Sequence, residues 1–419
     1  MPVAIDAEKQ DMKRRNFRAG TPMILLILFV AVSATTLPAQ TVFQNPDYDY
    51  VVDIPVGWQV IDGAQADFIN FADPQRQAVF QIIAFPGDRF ATVAEIDSFV
   101  RTQFSAEGDS APFEYLGARA IFADYGFSVG AFSVRGYMVF INGEDHDFAV
   151  MTYAPVDSYE AYHDFLLSAV DSFSMNAETR TKPGPVSVFF AEPIAQEGSS
   201  DAQLTLPSGR SATLPLAVAS PEAQDAANVL IEREARILVQ YATEPGASPR
   251  IGAEPGPPWA QAWRRYFRMI YRDNFARLEP VTEALFEDLA REDVPRNEIP
   301  AVLLGWLQSA RYERTRSISD LMSPGACLTE FAGDCDSLGL TYAIMLTQMG
   351  FDAILMVSRE FSHALVGVDV PGEGARFPFQ NRQWLVAELT AEVPIGQIAQ
   401  EMSDIGGWIG IKLDPTVVW

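Results

Sequence analysis

The 419-residue sequence predicts an α+β protein made of two consecutive domains. Three observations carry that reading. Residues 43–175 mix short alternating β-runs with two helical ones, whereas helical periodicity takes over from Pro221. A helix starting at Cys335 then leads into apolar β-runs that close the chain. With 48% hydrophobic residues and 28 Phe the chain can bury sizeable cores, which argues against global disorder. A formal charge of −25 excludes the basic surface that nucleic-acid binding requires.

The first residues read as an export signal. Lys13, Arg14, Arg15 and Arg18 precede an apolar run from Met23 to Ala34, followed by Thr35-Thr36-Leu37-Pro38-Ala39. Twelve apolar residues are short for a membrane span, which needs about twenty. The expectation is a signal peptide over 1–39, cleaved after Ala34 or Ala39, and a periplasmic or extracellular protein. A membrane anchor is implied only if the segment stays uncleaved.

In the first domain, residues 43–175, Tyr48 to Pro55 alternates and closes at Pro55-Val56-Gly57-Trp58, a strand entering a turn. Ala78 to Phe85 is a more apolar and so more buried strand. Val93 to Phe104 predicts a helix with Val93, Ile96, Phe99 and Val100 on one face. Further strands are expected at Ala120–Phe122, Phe127–Val134, Tyr137–Ile141 and Asp147–Tyr153, and a closing helix at Tyr159–Phe173. His146 and His163 lie near Asp145, Asp147 and Asp164 without metal-ligand spacing and read as solvated or hairpin-edge residues.

Residues 176–216 carry Lys182-Pro183-Gly184-Pro185 and Gln196-Glu197-Gly198-Ser199-Ser200 and read as a linker. Short β-like pieces at Val186–Phe190 and Ala202–Leu206 lie within it, the second followed by a Pro207-Ser208-Gly209 turn. Residues 217–419 form the second domain. Helices are predicted at Pro221–Tyr241, Trp259–Arg291 and Ile299–Tyr312, the last capped from Asn297 with Pro300 in its first turn. The next helix, Cys335–Met349, has Asp334 as N-cap and Gly350 as stop. Strands follow at Ala353–Val357, His363–Val370 and Trp384–Thr390, and Trp306, Trp384 and Trp408 read as core aromatics.

The chemistry concentrates at Cys335, in Gly333-Asp334-Cys335-Asp336-Ser337. A thiol on a helix N-terminus, His363 opening a strand and Glu388 on the next one are the parts of a Cys-His-acid nucleophilic site. The helix N-terminus favours thiolate and offers N–H donors to an oxyanion, while Asp334 and Asp336 oppose thiolate formation. A disulfide competes with this reading, because two cysteines in an oxidising compartment default to a bridge and Cys327 is eight residues away. No phosphate loop, metal-ligand cluster or dinucleotide fingerprint occurs, so no cofactor or metal is expected.

The Gly-Asp-Cys-Asp opening, Gly350-Phe351-Asp352-Ala353, His363 heading a strand and Trp384–Thr390 resemble the transglutaminase-like, papain-like cysteine-enzyme superfamily. So does Leu307-Gln308-Ser309-Ala310-Arg311-Tyr312 upstream. The resemblance covers roughly Glu298 to Gly396. It implies a nucleophile helix packed on an antiparallel sheet, with Cys335 as nucleophile, His363 as general base and acid, and Glu388 as orienting acid. Gln308 would be a second oxyanion donor. Asp414 in Asp414-Pro415-Thr416 resembles the family's Asp-Pro-Thr ending and is the other candidate acid. Glu388 is preferred because 25 residues after His363 suffice for one hairpin and its strand is apolar.

The Tyr50-x-x-x-Ile54-Pro55-x-Gly57-Trp58 opening and the closing Ser168–Phe173 run resemble PsbP-like domains, which implies an α-β-α sandwich for the first domain. Together these readings imply an exported cysteine hydrolase acting on a protein or peptide substrate. The alternatives are a non-catalytic envelope or binding protein stapled by Cys327–Cys335, and a cross-linking transamidase.

Overall fold

Along Val79–Pro86, Phe80, Ile82 and Ala84 turn to one face and Ile83 and Phe85 to the other, and all five are buried. A strand buried on both faces belongs inside a sheet covered on both sides. The computed structural model describes residues 42–65, 67–191, 198–218, 221–242, 256–314 and 319–414. The export segment and its cleavage sites therefore lie outside the described residues. Among the described residues no helix is long and apolar enough to cross a membrane.

The chain begins with β1 (Val42–Gln44) paired antiparallel to β2 (Val51–Asp53). Next come β3 (Gln59–Gln65), β4 (Phe68–Ala72), β5 (Val79–Pro86), α1 (Val93–Phe104), β6 (Glu107–Tyr115), β7 (Ala118–Val129), β8 (Phe132–Asn142), β9 (His146–Pro155) and α2 (Tyr159–Asp171). The seven strands β3 to β9 form one antiparallel sheet in the order β3-β4-β5-β9-β8-β7-β6. Ile96 and Val100 of α1 fill one face, and Phe165, Leu166, Ala169 and Val170 of α2 the other.

Two strand expectations are corrected here. Residues Phe127–Val134 do not form one strand: the chain reverses at Gly130, whose φ of +60° suits glycine, between β7 and β8. Strand β6 is not foreseen at all, because its alternation is polar and interrupted by Gly108 and Pro112. It is an edge strand, where a proline costs no ladder bond.

The stretch read as a linker holds α3 (Pro185–Phe190) and the hairpin β10 (Gly198–Thr205) and β11 (Ser211–Val218). The apolar run Val186–Phe190 is thus a helix turn rather than β, started by Gly184 and Pro185. Leu204, Leu206 and Leu214 of the hairpin are buried in the same core as the helices that follow.

Those helices are α4 (Pro221–Ala242), α5 (Pro258–Arg291), α6 (Ile299–Gln308), α7 (Pro324–Glu330) and α8 (Cys335–Gln348). The β-part comprises β12 (Arg311–Tyr312), β13 (Ala332–Gly333), β14 (Ala353–Ser358), β15 (His363–Val368), β16 (Arg376–Phe379), β17 (Arg382–Ala387) and β18 (Ile409–Ile411). Helix α6 stops at Gln308 rather than Tyr312, and its N-cap is Glu298, not Asn297. Arg311–Tyr312 instead pairs parallel with Ala332–Gly333.

Strands β14 to β18 form an antiparallel sheet ordered β16-β17-β15-β14-β18. Helix α8 lies against it and is buried on nearly every side from Cys335 to Leu346, as expected of a central helix. Gly339 permits the close approach: a Cβ there would sit 3.1 Å from Leu355 Cδ1 and 3.5 Å from Val366 Cγ2.

Buried arginines from the helices join the two halves. Arg265 donates to the Asp53 carbonyl, to Ser168 Oγ (2.7 Å) and to Glu234 (3.0 Å). Arg233 pairs with Asp171 at 2.7 Å, and Arg268 holds Asp53 through both carboxylate oxygens. Arg272 donates to the carbonyls of Lys182, Ser172 and Phe173.

Candidate active site

Asp334 fixes the start of α8. Its Oδ1 accepts from the Ser337 N–H (2.9 Å) and hydroxyl (2.7 Å), a side-chain N-cap. The same Ser337 hydroxyl accepts from Met322 N–H at 2.8 Å, tying the preceding loop to the helix start. Cys335 is therefore held at the first helical position, 3% exposed.

The thiol meets two groups. Its Sγ lies 3.6 Å from Asp336 Oδ1, and the backbone N–H of Ala364, the residue after His363, favours its charged form. His363 heads β15, a strand packed against α8. Burial pushes the Cys335 thiol well up from its ordinary value, and the Asp336 and Asp334 charges push it further. The Ala364 N–H acts in the opposite direction. Asp336 is itself pushed up to about 7, by burial and then by Asp334, against the opposing charges of His363 and Arg314.

The histidine is held by the acid. His363 Nε2 and Glu388 Oε2 are 2.7 Å apart. The other oxygen, Oε1, accepts from both the N–H and the hydroxyl of Thr390, each at 2.7 Å. Burial alone would raise the Glu388 carboxyl, yet the His363 and Thr390 bonds hold it below its usual range. Glu388 lies one residue beyond the end of β17 rather than within a strand to Thr390. That break in the ladder frees the Thr390 N–H to turn back onto the carboxylate. With Nε2 committed to Glu388, Nδ1 is the ring nitrogen that remains. The imidazole also stands edge-on to Trp408, ring centroids 6.5 Å apart.

Gln308 has no amide hydrogen left for an oxyanion. Its Nε2 donates to the Glu388 carbonyl (2.8 Å) and to the Val393 carbonyl (2.9 Å), so both amide hydrogens are used on the loop that carries the acid. Asp414 is not brought to His363 either; it forms a two-point ion pair with Arg180. Its Pro415-Thr416 neighbours lie outside the described residues. Cys327 and Cys335 are both free, so no bridge joins them. Cys327 is 1% exposed, and burial pushes its thiol up to about 12.

No family model matches the chain, and no curated protein matches it either. Solved structures match weakly. PsbP of Synechocystis sp. PCC 6803 is 14% identical, covers 35% of this chain and 98% of its own, and has a TM-score of 0.28. LpqN of Mycobacterium tuberculosis, described as involved in cell envelope biogenesis, is 17% identical over 32% of this chain and 88% of its own, with a TM-score of 0.23. A protein of Bacteroides thetaiotaomicron is 10% identical over 82% of this chain and 88% of its own, with a TM-score of 0.25. The likeness to PsbP-like and LpqN-like domains is weak and covers part of the chain. None of these matches identifies the C-terminal half with the transglutaminase-like superfamily.

Two features of the site escape a reading of residue types. Thr390 completes the acid's hydrogen bonding, a role that its place two residues after Glu388 in the Trp384–Thr390 run does not by itself state. Gln308 positions that acid from 80 residues upstream, a relation no spacing reveals.

Proposed function

We propose that this chain is an exported cysteine hydrolase that cleaves peptide or side-chain amide bonds through Cys335, His363 and Glu388. The observation that carries the reading is the 2.7 Å contact between His363 Nε2 and Glu388 Oε2, at the start of the strand packed against the helix that Cys335 opens. A histidine fixed by a fully hydrogen-bonded carboxylate has its tautomer and orientation set for proton transfer. His363 takes the thiol proton, and the Cys335 sulfur attacks the amide carbonyl while N–H groups at the start of α8 stabilise the oxyanion. The C–N bond breaks as His363 returns the proton to the leaving amine, leaving a thioester on Cys335. Water, deprotonated by His363, attacks the thioester and releases the acid and the thiol. An amine in place of water gives transamidation. The step needs no cofactor. Export is supported by the basic segment ahead of Met23–Ala34.

The test is incubation of the full chain with peptide and glutamine-amide substrates under acid quench, followed by mass spectrometry of the Cys335 peptide. A transient acyl adduct that vanishes in Cys335→Ala and fails to form in His363→Ala is expected. Turnover that persists in Cys335→Ala sinks the reading.

A second reading is favoured by one observation. A 3%-exposed thiol flanked by two aspartates suits an inert core cysteine in a binding or scaffold protein. An absence of any adduct, with Cys335 unreactive towards iodoacetamide until the chain is unfolded, would establish it.

A further inference from the structure

The nucleophile's surroundings are acidic. Asp334 and Asp336 flank Cys335 in sequence, and both charges bear on its thiol. Asp334 is 1% exposed, and its Oδ2 accepts no hydrogen bond. An uncompensated carboxylate in that position opposes formation of a thiolate beside it.

A cation faces this cluster from a separate segment. The parallel pairing of Tyr312 with Gly333, sealed by the Glu313 N–H on the Gly333 carbonyl at 3.0 Å, lays residues 311–314 along the approach to α8. Arg314 follows directly. Its Nε lies 4.0 Å from Asp334 Oδ2 and 3.7 Å from Asp320 Oδ2. Its charge is felt at Asp334, Asp336, Tyr312 and Cys335. As a stabilising ion pair a half-exposed arginine contributes little. Its position is better suited to balancing charge.

We propose that Arg314 is the electrostatic counterweight of the nucleophile pocket: it offsets Asp334 and Asp336 so that the Cys335 thiolate and the His363 imidazolium form together. The groups that face it are Tyr312 from β12, Asp320 from the loop, and Asp334, Cys335 and Asp336 from the start of α8; His363 of β15 bears on the same Asp336. Arg314 is a positioning residue, acting through the field at the sulfur. The inference rests on the cysteine-hydrolase reading for its purpose but not for its test.

The test is the rate of iodoacetamide alkylation of Cys335 in the full chain from pH 5 to 10, read by peptide mass spectrometry in 50 mM and 1 M salt. At low salt Arg314→Gln should move the alkylation midpoint up by roughly half to one pH unit. Arg314→Lys should recover most of that shift, and 1 M salt should shrink it. The melting temperature should change by no more than about 1 °C, as for a surface pair. An unchanged midpoint in Arg314→Gln overturns the inference. So does a shift that Arg314→Lys fails to recover, because packing rather than charge would then be responsible. An arginine-dependent shift in a chain that cleaves no amide would sink the hydrolase reading and leave the counterweight standing.

Discussion

Gln308 reaches across from the end of α6 and donates to the main-chain carbonyl of Glu388 at 2.8 Å, so the acid that orients His363 is held by its backbone as well as by Thr390. Replacing Gln308 with Ala releases that carbonyl and the one at Val393 together. The expected result is a roughly 10–100-fold fall in kcat with KM little changed, because a small misplacement of a catalytic group costs rate rather than binding. Steady-state kinetics on a cleavable amide check it. A KM effect alone would place Gln308 in substrate binding.

Glu388→Gln keeps the shape of the acid and removes its charge. The neutral amide no longer stabilises an imidazolium, and it can present an N–H to His363 Nε2, favouring the wrong tautomer. Activity should fall about 10²–10⁴-fold while the far-ultraviolet circular dichroism stays unchanged. Activity within a factor of three of the parent would remove Glu388 from the site.

Asp336 makes stability depend on pH. Its carboxyl titrates near 7 in the folded chain and near ~3.9 when unfolded. Between those values the folded state binds the extra proton, so stability falls as pH rises from about 4 to 7 and stays lost above. Asp336→Asn removes that penalty. Its melting temperature should exceed the parent's at pH 8 and match it below about pH 4. Thermal melts at pH 3.5, 5.5 and 8 test the sign, and a gain confined to acid pH would contradict it.

Arg265→Met strips a guanidinium that is 3% exposed from Glu234 Oε2, 3.0 Å away, and leaves the buried carboxylate to Arg233 on Oε1 and to Ser168. Stripping one partner from a buried pair costs about 3–5 kcal/mol. Urea unfolding should show either that loss or two separate transitions for the two halves. Adding Glu234→Leu should restore part of the loss, because the carboxylate left half-compensated goes with it.

Much of the secondary structure was legible because it rests on local signals. Helix Val93–Phe104 follows from its apolar face, and α8 from Asp334 before the cysteine and Gly350 after the last turn. The strands β14 and β15 are apolar runs between turns. What escaped reading lacked such signals: β6 is polar and an edge, and β12 is two residues long and defined only by its partner at Gly333. The turn at Gly130 was hidden because apolar residues flank it on both sides.

For the candidate site, residue types and order along the chain were enough to single out Cys335, His363 and Glu388, and to expect opposing charge from Asp334 and Asp336. Tertiary structure alone decided the hydrogen-bond partners. It set Glu388 rather than Asp414 against His363, gave Asp414 to Arg180, and left Cys327 and Cys335 unbridged. It also turned Gln308 onto the acid's own loop and laid Arg314 beside Asp334. The reason is physical. Caps and periodicity act within a few residues, whereas a hydrogen bond or a charge acts across whatever distance in sequence the fold has closed.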